Sequence, residues 1–303
     1  MDNKKKESVL KILAVKIKNK TRITEVCFDK LEEIRLRVGC PLIYYENGRE
    51  YITDCMIDRR ILSEVMEYVT SYSQYAYENE MRQGFVTVEG GHRIGICGKV
   101  ICEEGKIKNV QYVSSINIRI GHEIKGCADP LFPGILERGN PVHTLIISPP
   151  GRGKTTLLRD LIRQISEGNR YLNGRTVGVI DERSEIAACY MGHPYNHLGL
   201  RTDVFDGCSK EEGIRMMIRS MGPRVIAVDE LGGEKDMKSV RQAMTSGVIV
   251  FATIHGRLLE DGRFGTFQEN NHENKIFKRY IVMADEGPKG AIKNIYDERG
   301  RVI

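Results

Sequence analysis

The sequence predicts an α/β protein in which a larger domain with a parallel sheet follows a smaller α+β N-terminal domain. Three observations support this prediction. The 303 residues are enough for two ordinary domains. In the C-terminal half, near-continuous apolar segments alternate with amphipathic ones, which is typical of parallel strands covered by helices on both faces. In the N-terminal half, helical segments are mixed with short strand-like segments and glycine turns.

The composition narrows the class of protein. Apolar residues make up 41% of the chain and charged residues 29%, which is normal for a soluble globular protein. No apolar run approaches the roughly 18 residues that span a bilayer. Lysines interrupt the apolar part of the N-terminus, so a secretory signal is not expected. The net charge of +5 predicts a solvated basic surface that permits, but does not require, an acidic partner.

The eight cysteines show no C-x-x-C pair, and no histidine lies at zinc-finger spacing from them. Several occur in apolar, strand-like stretches. We therefore expect reduced, mostly buried thiols in a cytosolic protein rather than a zinc site.

The N-terminal domain is predicted over residues 1–125. Its first helix is indicated by four apolar residues that share one helical face: Val9, Leu10, Leu13 and Ile17. Residues 34–52 alternate and turn at Asn47–Gly48, which predicts a hairpin. A helix with an apolar and aromatic face is predicted over 59–81, and short strands with glycine turns over 84–120.

The boundary between the domains is predicted from a stretch rich in proline and glycine. Residues 121–141 hold three prolines and four glycines. Such a composition is typical of a linker. We place the linker, a candidate hinge, at 126–136 and the second domain at 137–303.

The second domain alternates strands and helices. Strands are predicted at 143–148, 176–181, 224–230 and 248–255, with final edge strands near 275–285 and 290–303. Helices are predicted at 155–166, 209–221 and 234–246, the second of them starting with a capping box formed by Ser209 and Glu212. Residues 256–275 are predicted to be a polar excursion.

The first predicted strand and helix flank a candidate phosphate-binding loop, "SPPGRGKTT". Glycines let the backbone turn its amides toward an anion, a lysine reaches the outer phosphates, and a hydroxyl can meet Mg²⁺. Ser148 stands where the usual pattern has its first glycine, which weakens the formal pattern but spares its chemical core. The predicted nucleotide-binding residues are Ser148, Pro150, Gly151, Arg152, Gly153, Lys154, Thr155 and Thr156.

Acidic residues follow another apolar strand in "VIAVDEL". Asp229 can hold Mg²⁺, together with Thr155, and Glu230 can activate a water for in-line attack. Because ligands of open parallel sheets bind at the carboxyl ends of strands, we expect Asp229 to lie near Lys154. An acidic surface turn is the alternative interpretation.

Two further strand ends carry polar residues. "VIDERSE" places Asp181, Glu182 and Glu185 after a strand, where Glu185 can position water or metal; the alternative is a helix-start cluster. "VIVFATIHG" places Thr253 and His255 where a polar side chain can sense the γ-phosphate; the alternative is a structural histidine.

In this order, the four motifs resemble those of secretion and type IV pilus ATPases. The resemblance is closer to one branch, the stage III sporulation protein AA family of endospore-forming bacteria, through "LEEIRLRVGCPL", "GGHRIGICGKV", "VIDERSEIA", "MIRSMGPRVIAVDELGG" and "NIYDERGRVI". It spans nearly the whole chain. It implies a RecA-like ATPase domain that uses ATP and Mg²⁺, assembly as a hexamer, and a cytoplasmic place in the mother cell. There the protein would work peripherally at the membrane around the forespore and power a channel built from other products of the same operon.

The resemblance also assigns roles to single residues. It implies catalytic roles for Glu230, Glu185, His255 and Arg219, the last from its place before the strand that leads to Glu230. Arg119 is a weaker candidate for reaching nucleotide from the first domain. Many secretion ATPases have glycine where Asp229 stands, and the segment after His255 is short and polar beside that family.

Two other classes of function fit parts of the pattern. A nucleic-acid-dependent motor is compatible with a RecA-like fold, but basic and aromatic residues do not interleave as single-strand binding favours. A nucleotide-gated scaffold with little hydrolysis would have little use for Glu230.

Overall fold

The computed structural model describes residues 3–70, 84–103, 105–258, 264–265 and 276–303. The chain forms two compact units. The first comprises Met1–His122 together with Ala188–Tyr195, and the second comprises Glu123–Ala187 together with Asn196–Ile303. The chain therefore leaves the first unit at His122 and returns to it for eight residues after Ala187.

The first unit contains a six-stranded antiparallel sheet with the order β3-β2-β1-β6-β5-β4. Its helices are α1 (Asn3–Ile12), α2 (Val15–Lys20) and α3 (Arg59–Val69). Its strands are β1 (Leu31–Arg37), β2 (Pro41–Glu46), β3 (Arg49–Met56), β4 (Phe85–Val88), β5 (His92–Glu103) and β6 (Lys106–Arg119). The short pair Cys189–Tyr190 and His193–Pro194 also belongs to this unit.

Local chemistry explains these elements. Asn47 and Gly48 both have positive φ, of 53° and 73°, as a two-residue hairpin turn requires, so the predicted turn between β2 and β3 is confirmed. Asp58 caps α3 by accepting a hydrogen bond from the Ile61 N–H at 2.9 Å. The part of the predicted helix 59–81 that follows residue 70 lies outside the described residues.

Two details of this unit differ from the prediction. The single N-terminal helix is two helices, because Ala14 takes an extended ψ of 145° between them, although Val9, Leu13 and Ile17 are buried as expected. The strands predicted as short over 84–120 include β5 and β6, which have 12 and 14 residues.

The second unit contains a seven-stranded sheet with the order β9-β8-β10-β11-β7-β12-β13. Neighbouring strands run parallel except for the last pair. The strands are β7 (Thr144–Ser148), β8 (Val177–Asp181), β9 (Thr202–Asp206), β10 (Val225–Val228), β11 (Ile249–His255), β12 (Arg279–Met283) and β13 (Ile292–Asp297). The helices are α4 (Lys154–Glu167), α5 (Lys210–Ser220) and α6 (Glu234–Thr245).

Smaller elements complete this unit. A 3-10 turn covers Phe132–Ile135. Three pairs of two-residue strands are Leu136–Glu137 with Asn140–Pro141, Gly168–Asn169 with Leu172–Asn173, and Arg257–Leu258 with Phe264–Gly265.

Four strands of this sheet are buried along their whole length, as the apolar runs predict: every residue of β7, β8, β10 and β12 is buried. Two features were not predicted. β9 is an edge strand whose polar sequence, "TDVFD", hides its strand character. β12 is an interior strand between β7 and β13 rather than an edge strand, because it pairs in parallel with β7.

The segment 126–136, predicted as a linker, is packed inside the second unit. Ala128, Phe132 and Ile135 are buried. The Ala128 N–H donates to Asp160 Oδ2 at 2.9 Å, and Gln164 Nε2 on the same helix donates to Asp129 Oδ1 at 2.7 Å. Its prolines and glycines thus belong to tight turns that return apolar side chains to the core.

All eight cysteines lie among the described residues and none forms a disulfide bond, but only Cys55 and Cys189 are buried. The expectation of mostly buried thiols is therefore wrong, because Cys27, Cys97 and Cys102 lie at exposed positions.

Among the described residues, no helix is both long enough and apolar enough to cross a membrane.

Asp160 joins the segment 126–136 to α4. Its side chain is buried and also accepts hydrogen bonds from Arg163 Nε and Nη2 at 3.0 and 2.7 Å. Burial by itself would raise the pKa of Asp160, but the Ala128 N–H and Arg163 bring it below its ordinary value. The ionised carboxylate is therefore part of the folded structure.

We expect Asp160→Ala to lower the free energy of unfolding by about 3 kcal/mol, because it breaks a buried ion pair and leaves the Ala128 N–H without its acceptor. The lowered pKa means that this stabilisation is present above the ordinary pKa of 3.8 and is lost at lower pH, so the difference from wild type should shrink there. Urea unfolding followed by circular dichroism measures both effects. The exposed Asp203→Ala should cost less than about 0.5 kcal/mol; equal losses for the two variants would contradict the assignment.

Candidate active site

The phosphate-loop sequence connects β7 to α4. Ser148 is the last residue of β7, in extended backbone that any residue adopts, so glycine is not needed there. Gly151 and Gly153 have φ of 72° and 98°, a region that favours glycine, and α4 begins at Lys154. The loop therefore has the strand–turn–helix geometry that lets backbone amides and the helix N-terminus face an anion.

Arg152, predicted to bind nucleotide, uses its side chain elsewhere. Its Nε donates to the Ala284 carbonyl at 2.9 Å, and Nη2 donates to the Glu286 and Gly287 carbonyls at 2.9 and 3.0 Å. In return, the Gly290 N–H donates to the Arg152 carbonyl at 2.9 Å. The guanidinium therefore holds the loop between β12 and β13 against the phosphate loop.

Asp229, directly after β10, joins three elements. Its Oδ2 accepts a hydrogen bond from Thr155 Oγ1 at 2.6 Å, and its Oδ1 accepts one from Thr253 Oγ1 on β11. Oxygen donors of this kind are the ligands that Mg²⁺ prefers. Thr155 and Asp229 thus fit the predicted metal role. Thr253, which was expected to sense a γ-phosphate, instead donates its hydroxyl hydrogen bond to Asp229.

Glu230 lies beside Asp229, and its carboxylate faces the side chains of Lys154, Arg183 and His255. Its N–H donates to Thr253 Oγ1 at 2.8 Å, and its φ is 53°, which is uncommon for a residue with a side chain. Its Oε2 lies 3.1 Å from Arg183 Nη1 and 3.8 Å from Lys154 Nζ, while its Oε1 lies 3.3 Å from His255 Nε2. We call these four residues the Glu230 cluster: Glu230, Lys154, Arg183 and His255.

The loop after β8 is held by two buried charges. Asp181 accepts hydrogen bonds from the N–H groups of Glu185, Ile186 and Ala187 at 2.9, 3.0 and 2.7 Å. Arg159 on α4 donates to the Ile186 and Glu185 carbonyls, both at 2.7 Å. Burial raises the pKa of Asp181 to about 6, against the opposing effect of its three N–H donors. The backbone that carries Glu185 is therefore fixed on both sides.

One cleft at the carboxyl edge of the sheet is lined by Asp181, Glu182, Arg183, Glu185, Lys210, Asp229 and Glu230. Lys210 forms an ion pair with Glu182 and lies 3.6 Å from Asp236. Among the described residues, no group of three or more His, Cys, Asp and Glu side chains is arranged to hold a metal ion by itself. Any metal ion would thus need further ligands from substrate and water.

The structure therefore brings together most of the predicted site residues. Lys154, Thr155, Asp229, Glu230 and His255 meet directly, and Glu185 lines the same cleft. Thr156, the third residue of α4, is half-buried.

Sequence reasoning missed Arg159, Arg183 and Lys210. Arg183 had a visible signal, since it lies inside the acidic motif. Arg159 lies within α4 and Lys210 begins α5, and nothing in the sequence around either residue indicates that it has a part in the site.

One predicted arginine, Arg219, does not reach the cleft of its own unit. Arg219 is exposed in the last turn of α5, whereas Lys210, at the first turn, is the residue that lines the cleft. Nine residues of helix separate them by about 14 Å. Arg119 belongs to the first unit, where its Nε lies 4.0 Å from Glu33 Oε2.

Comparison with known proteins shows which family the chain belongs to. A profile of the family described as "Sporulation stage III, protein AA" matches residues 3–303. The chain belongs to this family. The stage III sporulation protein AA of Bacillus subtilis (strain 168) is 37% identical over 296 residues, which covers 97% of this chain and 96% of that protein. The resemblance seen in the sequence is confirmed.

Two solved structures share the fold of this family member. The ATPase DotB of Legionella pneumophila superimposes with a TM-score of 0.54 at 17% identity, over 83% of this chain and 72% of that chain. The pilus retraction motor PilT, solved with bound ADP, gives a TM-score of 0.54 at 15% identity, over 84% and 74%. At these identities the likeness concerns the fold alone, and it confirms the predicted fold class.

The raised pKa of Asp181 makes a pH dependence testable. A carboxyl whose pKa rises from 3.8 to about 6 on folding stabilises the protein most below the lower value, and that stabilisation is lost as the pH rises through 6. The difference in unfolding free energy between wild type and Asp181→Asn, which cannot titrate, should therefore fall by about 2 kcal/mol between pH 4 and 6.5. Denaturant unfolding across this range measures it. A difference that stays constant would show that the N–H donors balance burial, and one that grows with pH would show that they outweigh it; either result would contradict the raised pKa.

Proposed function

We propose that this protein binds ATP in the cleft and hydrolyses it. The observation that carries the proposal is the meeting of Lys154, Thr155, Asp229 and Glu230 at one edge of a parallel sheet, directly beside the turn before α4. A lysine and a hydroxyl at a helix start, facing an Asp-Glu pair on a neighbouring strand, suit phosphoryl transfer from a nucleoside triphosphate. An acidic surface turn would not place Asp229 on the hydroxyl of Thr155.

Each residue has a defined part in this proposal. The amides of the loop 151–154 and the N-terminus of α4 bind phosphate oxygens, and Lys154 adds a positive charge to the outer phosphates. Glu230 orients the attacking water and accepts its proton. His255, 3.3 Å from Glu230 Oε1, orients that carboxylate. Glu185 lines the cleft and positions water.

Thr155 and Asp229 would hold Mg²⁺ together with phosphate oxygens. Bound there, the ion would neutralise the charge of the phosphates. The two side-chain oxygens are already directed toward each other at 2.6 Å, so both can turn to one cation with little rearrangement.

We propose in addition that the chains work as an oligomer, a hexamer, in sporulation. Membership of the sporulation family and a fold shared with a pilus retraction motor support this. In such a ring Arg219, which is exposed and far from the cleft of its own chain, would act on the site of a neighbouring chain. The partners would be membrane channel proteins of the mother cell, with the ATPase peripheral to the membrane.

The test of the phosphate loop is Lys154→Ala. We expect ATP affinity to fall about 10- to 100-fold, because a charge-assisted contact with the phosphates is lost, and hydrolysis to fall with it. Binding is measured by calorimetry, and hydrolysis over a range of protein concentrations with molar mass read in parallel. Turnover per chain should rise as the protein assembles. The exposed Lys238→Ala is the matched control. ATP binding that does not depend on Lys154 would refute the proposed site.

The test of the catalytic carboxylate is Glu230→Gln. This variant should keep ATP bound but lower turnover by about 100- to 10,000-fold, because the amide cannot accept a proton from water. Single-turnover hydrolysis and ATP retention on a filter separate the two effects. Glu234→Gln, the same change at an exposed position of α6, should match wild type. Unchanged turnover in Glu230→Gln would remove Glu230 from the mechanism.

A further inference from the structure

The Glu230 carboxylate is shared by two cations that have different surroundings. Lys154 is almost buried, with 11% of its side chain exposed, and it lies at the start of α4. Arg183 follows β8, and 60% of its side chain is exposed. Both reach the same oxygen, Oε2, at 3.8 and 3.1 Å. The guanidinium of Arg183 therefore lies close to the position where Lys154 would meet the outer phosphates.

The backbone on each side of Arg183 is anchored, whereas its tip is in solvent. Asp181 is tied to the loop by three N–H groups, and Ser184 Oγ donates to Asp206 Oδ1 at 2.6 Å. Because the backbone is anchored and the side chain is exposed, the Arg183 guanidinium can change its partner without disturbing the packing around it. The backbone of Glu230 is anchored too, because the N–H groups of Glu230 and Leu231 both donate hydrogen bonds to Thr253. A change of partner thus requires movement of the two side chains only.

A terminal phosphate would compete with Glu230 for this guanidinium. A phosphate group offers up to three oxygens and more negative charge than a carboxylate, and arginine binds it with two parallel hydrogen bonds. The diphosphate of ADP lacks that outermost group.

We propose that Arg183 distinguishes nucleoside triphosphate from diphosphate: it holds Glu230 in an ion pair until a terminal phosphate arrives, then moves to that phosphate and releases the carboxylate to meet water. This inference rests on the proposed ATPase function. It makes Arg183 a substrate-contacting residue that the sequence pattern did not single out. It also links the acidic loop after β8 to the nucleotide state, because the loop supplies the moving side chain.

The experiment compares the affinities of the full-length protein for ADP and for the non-hydrolysable β,γ-imido analogue of ATP, both with Mg²⁺, by calorimetry. In Arg183→Gln the affinity for the triphosphate analogue should fall about 10- to 100-fold, while that for ADP should change less than about threefold. Arg183→Lys, which keeps the charge but loses the paired hydrogen bonds, should lie between. Arg215→Gln, an exposed arginine on α5, should match wild type.

ADP binding serves as an internal check of folding in each variant. An equal loss of both nucleotides in Arg183→Gln would mean a structural or general electrostatic role and would overturn the inference. Unchanged affinities of Arg183→Gln for both ADP and the ATP analogue would overturn it too. If wild-type protein binds neither nucleotide, the proposed function itself fails, which is a different outcome from loss of discrimination in a protein that binds both.

Discussion

The hydrogen bonds to the Asp229 carboxylate are the interactions on which the candidate site depends. One oxygen accepts from Thr155 at the start of α4 and the other from Thr253 on β11. The carboxylate thus fixes the phosphate loop relative to two central strands. Hydroxyl donors add no positive charge, so Asp229 keeps the negative charge that attracts a divalent cation. A cationic partner in place of the two threonines would compete with the metal for the same oxygens.

Thr253 extends this arrangement from Asp229 to Glu230. Its hydroxyl donates to Asp229 and accepts from the Glu230 N–H, and its carbonyl accepts from the Leu231 N–H. These contacts hold Glu230 at positive φ, a conformation that costs about 1 kcal/mol for a residue with a side chain. Strain of this size persists only where the surroundings determine the backbone fully. Here they direct the glutamate at the cations of the cleft rather than along the strand.

The sequence predicted what depends on local pattern. The strand–glycine–helix succession around Lys154 and the apolar run before Asp229 are contiguous, so the phosphate loop and the strand end could be read directly. The packing of segment 126–136 could not, because the buried acceptor of the Ala128 N–H is Asp160, on α4. Proline and glycine indicated a linker there, yet the same residues also form tight turns in a packed segment.

The arginines show a second limit. Arg219 is predicted from its place before a strand, but the length of α5 separates it from the cleft of its own chain. The pattern does not single out Arg183, although its neighbours Asp181, Glu182 and Glu185 belong to the predicted acidic motif. Spacing along the chain assigns a residue to a strand end or a helix turn, but it does not show which of several charged side chains on a loop faces the cleft.

The loop after β8 explains why Arg183 can face the cleft at all. Asp181 and Arg159 are both buried, yet in this loop their hydrogen bonds go to backbone groups, Asp181 to three N–H groups and Arg159 to two carbonyls. Burying two charges costs free energy that a direct ion pair would recover only in part. Here the hydrogen bonds of Asp181 and Arg159 go to one short stretch of backbone instead, and they fix the conformation of that stretch. The exposed side chains that the loop carries can then move while their attachment points do not, which is what a residue that exchanges partners across a cleft requires.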